Sequence, residues 1–142
     1  MKAARAVVPK VRLLAFLDTL YYVWKSGRVP RVAYVGTSLL RIKPMFQLSH
    51  GQIRNLARPR TTAKAIDSML SQMQLQSGLG PVHAAVMHSD ATEAAEKLSQ
   101  RVETEFQCEE LYVSEFSPVM GTHTGPGLLG VAFWSETAVD RL

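Results

Sequence analysis

Apolar and polar positions change period several times along this chain, and each change marks an element. From Val11 to Leu17 the run is apolar except for Arg12, which reads as a buried strand or the start of a helix. Asp18 is placed to cap a following helix, in which Leu17, Leu20, Tyr21 and Trp24 recur at i, i+3, i+4 and i+7. Ser26-Gly27 stops it. After Pro30, Val32 to Leu40 is a second short apolar helix candidate with Gly36 inside it. Ile42 to Leu48 and Gln52 to Leu56 are short strands joined by Ser49-His50-Gly51, a hairpin pattern, and Pro44 makes the first an edge or irregular strand.

The clearest helix opens at Arg58-Pro59-Arg60-Thr61 and sets Ile66, Met69, Leu70 and Met73 on one face. Ser77-Gly78-Leu79-Gly80-Pro81 ends it. Val82 to Met87 reads as a strand. Asp90 and Glu93 then form a capping-box-like pair for a helix presenting Ala91, Ala94, Ala95, Leu98 and Val102. Leu111 to Phe116 is the return strand, so residues 82–116 make a β-α-β unit, right-handed by the general rule for such crossovers. Each long helix has a single apolar stripe and covers one sheet face. The expected fold class is therefore α/β (α+β), a two-layer domain with a mixed β-sheet and helices packed mainly on one face.

Composition adds limits rather than detail. At 142 residues the chain suits one domain, spanning 1–142, and 46% hydrophobic with 20% charged residues is the balance of a soluble globular protein. No apolar run approaches the roughly 20 residues of a membrane span. Met1 to Lys10 lacks the apolar core and cleavage site of a signal peptide, and Cys108 has no second cysteine to pair with; a cytoplasmic protein is expected. Net charge is +4. The basic residues cluster early, from Lys2 to Arg60, and are not interleaved with aromatics as a single-strand groove requires. A solvated basic face is the expectation, without nucleic acid as a partner.

Candidate chemistry concentrates in Gly121-Thr122-His123-Thr124-Gly125-Pro126-Gly127. One imidazole stands between two hydroxyls in a glycine frame, after an apparent strand and before the small-apolar run Leu128 to Phe133. A plain tight turn, whose histidine caps neighbouring backbone, is an equally open reading. Elsewhere the inventory is thin. Glu109 and Glu110 follow Cys108 and should raise its thiol pKa, which makes a poor nucleophile. His83 and His88 fall on opposite faces of a strand, His50 sits in a turn, and neither a metal set nor a catalytic residue emerges. What remains is His123 with Thr122, Thr124 and Gly125, plus Arg60 at a helix start, a set suited to holding an oxyanion or carboxylate. Arg60 as an ordinary surface charge is the competing reading.

Four stretches together resemble the C-terminal domain of the DegV family, bacterial fatty-acid-binding proteins. They are Asp18 to Val29, Leu39-Leu40-Arg41-Ile42-Lys43-Pro44-Met45, Arg58-Pro59-Arg60-Thr61-Thr62-Ala63-Lys64-Ala65, and Gly121 through Val131. The likeness runs roughly from residue 11 to residue 134, with Ser26 replacing the first of a usual glycine pair. It implies a binding protein, not an enzyme, whose two domains close over a long-chain fatty acid. Such proteins present the acid to a separate fatty-acid kinase subunit, which phosphorylates the carboxylate. On this resemblance His123 helps hold the carboxylate and Arg60 lies near the head group, with the fatty acid as ligand and no other cofactor.

The family's remaining carboxylate ligands, a threonine and a serine, belong to an N-terminal domain that this chain is expected to lack; Thr37-Ser38 is not that pair. Self-association through the surface left uncovered is a further expectation. Two alternatives stay open. One is a hydrolase or transferase with His123 as general base and Ser114, Glu115 or Ser117 beside it. The other is a nucleic-acid-binding domain using the basic N-terminal half.

Overall fold

The computed structural model describes residues 2–28 and 42–138. The helix candidate at Val32 to Leu40 and the Thr37-Ser38 pair lie outside them. The chain opens with helix α1 (Lys2–Val7) and a 3-10 turn (Val8–Lys10), continues through β1 (Arg12–Phe16) and α2 (Tyr21–Lys25), and then forms the hairpin β2 (Met45–Ser49) and β3 (Gln52–Ala57). Next come α3 (Thr62–Ser77), β4 (Val82–Ser89), α4 (Thr92–Glu105), β5 (Cys108–Glu115), α5 (Pro118–Thr124) and β6 (Leu128–Trp134).

The strands form one six-stranded sheet in the order β3-β2-β1-β6-β4-β5. β4 and β5 run parallel across α4, as the expected β-α-β unit requires, and every other neighbouring pair is antiparallel. The mixed sheet and its main helical layer are thus as expected. One face carries Leu14, Phe16, Met45, Val82, Ala84, Val86, Val131 and Phe133 and packs on α3 and α4. The stripes that face it, Ile66, Met69, Leu70 and Met73 on α3 and Ala95, Leu98 and Val102 on α4, are fully or almost fully buried. The opposite face carries a second, smaller core at one end. There α2 and α5 enclose a smaller core of Ala15, Leu17 and Leu128, with Leu20, Val23, Phe116 and Met120 packed around it. Farther along, that outer face leaves Ile53 70% exposed and Tyr112 59% exposed.

Helix starts depart from expectation in two places. Asp18 does not cap α2; the helix begins only after Leu20, which makes no side-chain cap, and the Thr19 hydroxyl accepts from the Tyr21 N–H at 3.2 Å. Asp90 and Glu93 do not form a capping box either. β4 runs on to Ser89, Asp90 turns through φ +48, and the cap position passes to Ala91. His88 Nδ1 takes the Ala91 N–H at 3.2 Å instead, while Glu93 pairs with Lys97 one turn on. The α3 start is conventional: Thr61 is its N-cap and accepts from the Lys64 N–H at 3.2 Å.

The registers fix a one-ended arrangement. Phe16 pairs with Met45 and with Leu129, Met45 with Ala57, Ser89 with Leu128, and His88 with Glu115. The segments after β1, β3, β4 and β5 and before β2 and β6 therefore meet at one end of the sheet. Asp18, Lys43, Arg58 to Arg60, and the whole of α5 lie there. At the other end are the hairpin tip around Gly51 and the Gly78 to Pro81 turn. Among the described residues, no helix is long and apolar enough to cross a membrane.

Candidate functional site

α5 exists because the chain leaving β5 must cross β4 to reach β6. Two backbone bonds mark the crossing: Phe116 N–H donates to His88 O at 2.8 Å, and Gly127 N–H donates to Ser89 O at 2.7 Å. Ser117 caps the intervening helix by accepting from Met120 N–H at 3.4 Å, and Pro118 sits at its first turn. The helix closes at Gly125, whose N–H donates to Gly121 O at 2.8 Å and whose φ of +78° favours glycine. His123 thus stands in the last turn of a short helix, and the expected glycine-framed turn begins two residues later.

The glycines of this stretch serve close packing. A Cβ on Gly125 would stand 2.1 Å from the Tyr22 ring, and one on Gly127 would stand 2.7 Å from Asp18 Cβ. A Cβ on Gly121 would meet Ser89 Oγ at 3.0 Å. Three neighbours, from α2, the segment before it and the end of β4, thereby hold the turn from outside.

The candidate ligands differ in what they have free. Thr122 Oγ1 donates to Pro118 O at 2.9 Å and Thr124 Oγ1 donates to Met120 O at 2.7 Å, so both hydroxyl protons bond back into their own helix. Thr124 is also buried, whereas Thr122 is exposed. His123 is half-buried, and its Nδ1 is buried with no hydrogen-bond partner among the described residues. Leaving such an atom unmatched costs about 1–3 kcal/mol, a cost that a ligand or a covering surface can relieve.

Arg60 lies outside α3, two residues before its first helical residue, and is exposed. Its segment is anchored by the Lys43 N–H, which donates to Pro59 O at 2.7 Å. Arg60 and His123 share one end of the sheet but leave it from distant strands. Four strand spacings separate β3 from β4, roughly 19 Å between those two strands.

The remaining titratable groups have structural partners. His83 and His88 do face opposite sides of β4. His88 is buried as the acceptor for Ala91, while His83 stacks on Trp134 at 4.0 Å between centroids with 1° between planes and lies 3.1 Å from Glu110. Among the described residues, no three metal-ligating side chains come together. The Cys108 thiol is pushed up, as expected, but for a different reason: burial is the main cause and Glu103 of α4 is the second, not Glu109 or Glu110. Those two carboxylates follow Cys108 along an exposed edge strand, on opposite faces of it, and Glu110 is the one beside His83.

Sequence reasoning missed the residues that hold the site. Asp18 and Lys43 form an ion pair, and Tyr22 abuts Gly125. Asp18 and Lys43 stood inside the stretches quoted for the resemblance, which was the one available signal. Tyr22 stood inside the Asp18 to Val29 stretch as well, with nothing local to mark its contact with Gly125.

The family model described as "uncharacterised protein, DegV family" matches residues 1–136. A DegV domain-containing protein of Streptomyces coelicolor is 38% identical over 122 residues, covering 85% of this chain and 43% of that protein. Among solved structures, DegV of Bacillus subtilis, described as a fatty acid binding protein, is similar at TM-score 0.73 and 29% identity over 95% of this chain and 48% of its own. The fatty acid kinase B3 protein of Streptococcus pneumoniae, solved loaded with linoleic acid, shares the fold at TM-score 0.80 and 19% identity, over 95% of this chain and 48% of that one. The chain spans about half the length of each of these proteins.

Proposed function

As the chain belongs to the DegV family, we propose that it is the C-terminal portion of a cytoplasmic fatty-acid carrier. His123 takes part in holding the carboxylate, and Arg60 supplies positive charge toward the mouth of the site. Thr122, Thr124 and Gly125 shape the helix end that presents the imidazole. The protein is a carrier rather than an enzyme, and a kinase subunit acts on the bound acid. The name of the pneumococcal relative supports that partner.

The observation that carries this reading is the buried, unmatched Nδ1 of His123. It sits at the end of the sheet that also carries Asp18, Lys43 and Arg60, on the face that bears Ile53 and Tyr112 farther along. A second half of the size seen in the relatives would supply the remaining head-group ligands and cover the exposed Ile53 and Tyr112, which support such a covering.

The test is a titration of the purified chain with carboxyl-labelled decanoate, followed on the His123 imidazole by NMR. A carboxylate-dependent shift of that ring, lost in His123→Ala and absent with decanol, is the expected result. An imidazole that ignores the acid up to its solubility limit ends the proposal.

A further inference from the structure

Two of the stretches that resemble the family, the one opening at Asp18 and the one around Lys43-Pro44, supply no ligand to the site described above. The structure gives them a joint task. Lys43 Nζ donates to Asp18 Oδ1, and the pair is asymmetric: the lysine side chain is 17% exposed and the aspartate 53%. The Asp18 side chain lies directly on Gly127, where a Cβ would come within 2.7 Å of Asp18 Cβ. On the other side, the Lys43 backbone N–H donates to Pro59 O at 2.7 Å, next to Arg60. Leu17 N–H donates to Pro44 O at 3.0 Å and keeps the two arms in register. A continuous path of contacts therefore runs from the Arg60 segment through Lys43 and Asp18 to the turn that ends α5.

Gly125 and Gly127 both have positive φ and no side chain, so this turn has little of its own to fix its course. Its position depends on what leans against it. We propose that the Asp18–Lys43 ion pair is a positioning element: it seats the Gly125–Gly127 turn, sets the orientation of the His123 ring, and ties that turn to the segment bearing Arg60. The part concerning ligand affinity rests on the fatty-acid reading; the part concerning the ring does not. The pair differs from surface pairs such as Lys97–Glu93, whose side chains are 67% and 83% exposed and whose loss leaves both charges hydrated. Removing the aspartate charge here strands a largely enclosed ammonium, and removing the lysine takes away the support of Asp18.

The experiment compares ligand-free chains by NMR before any acid is added. Asp18→Asn keeps the contact with Gly127 and removes the charge; Lys43→Gln removes it from the other side. Each is expected to shift the His123 imidazole signals and the amides of Gly125 and Gly127, and the double variant to shift them no further. Lys43→Arg, which keeps the charge, should stay near wild type. Asp67→Asn, which breaks the Arg101 pair between α3 and α4, should leave these signals in place. Decanoate affinity is expected to fall about fivefold or more in Asp18→Asn, the lower end of coupling between linked sites.

Imidazole and turn signals of folded Asp18→Asn or Lys43→Gln that coincide with wild type overturn the positioning role, even if melting temperature drops. Should Asp18→Asn not fold, Lys43→Gln decides. A wild-type chain that ignores decanoate ends the fatty-acid reading alone, because the ligand-free comparison still decides this one.

Discussion

The Tyr22 ring lies so close to the Gly125 backbone that a Cβ at position 125 would fall 2.1 Å from Cδ2 and 2.5 Å from Cε2. Contact between α2 and α5 is thus made through the absence of a side chain. Gly125→Ala meets two penalties, a backbone at φ +78° and ψ 178° that is essentially reserved for glycine, and the collision with the ring. Together these are worth roughly 3 kcal/mol, about 1–3 for the backbone and 1–3 for overpacking. Thermal unfolding should show a midpoint lowered by about 10 °C in a domain of this size. Tyr22→Ala placed on the same background should recover the collision component only.

His123 offers the opposite trade. Replacing it with leucine removes a buried nitrogen that has no partner among the described residues. The chain should become more stable by about 1 kcal/mol while losing its response to decanoate. Denaturant unfolding and the acid titration, run side by side, check both halves. A His123→Leu chain that is markedly less stable would mean that the imidazole is already satisfied.

Cys108 should behave as an inert thiol. Burial and Glu103 raise its pKa, so the folded state favours the protonated form more than the unfolded state does. The sign follows: this contribution to stability is intact below the pKa of an unfolded thiol and is lost as pH rises through the folded one. Reaction with a disulfide reagent at pH 8 should be slow in the native chain and fast once it is unfolded, and Glu103→Gln should quicken it modestly.

Affinity of the isolated chain should be low. Burying an acyl chain of about 14 methylenes is worth at most ~11 kcal/mol at ~0.8 kcal/mol each. A domain enclosing only one side forfeits about half of that, and immobilising the ligand consumes much of the rest. Calorimetry with palmitate should give no submicromolar binding; a submicromolar result would mean that this chain encloses the tail by itself.

The long elements were legible because their side chains face one partner. In α3 the spacing of Ile66, Met69, Leu70 and Met73, with Thr61 before them, specifies both the helix and its buried face. β4 alternates buried and half-buried positions through all its residues, which is why His83 and His88 were correctly set on opposite faces. The short elements were not legible. α5 contains Gly121 and two threonines, poor helix formers, and it forms because the crossing over β4 and the packing of Met120 and Phe116 impose it. The caps failed for a related reason. Asp18 and Asp90 are good capping residues in isolation, but one is taken by Lys43 and the other is turned away where β4 ends.

The candidate site could be read only as a set of residue types, and of these His123 and Arg60 do reach the same end of the sheet. The strand order that sets β3 four strands from β4 was not legible, since strand order is absent from local pattern. Nor was the support by Asp18, Lys43 and Tyr22, which depends on contacts between residues far apart in sequence.

The sheet's polarity has a practical corollary. Asp18, Lys43, Arg60 and α5 gather at one pole, so the opposite pole, where Gly51 turns the hairpin with nothing within 4 Å of its would-be Cβ, is a natural graft point. A fluorophore or peptide tag spliced in there should leave the pole that carries His123 undisturbed, which makes it the handle by which this module can be tethered, imaged or fused.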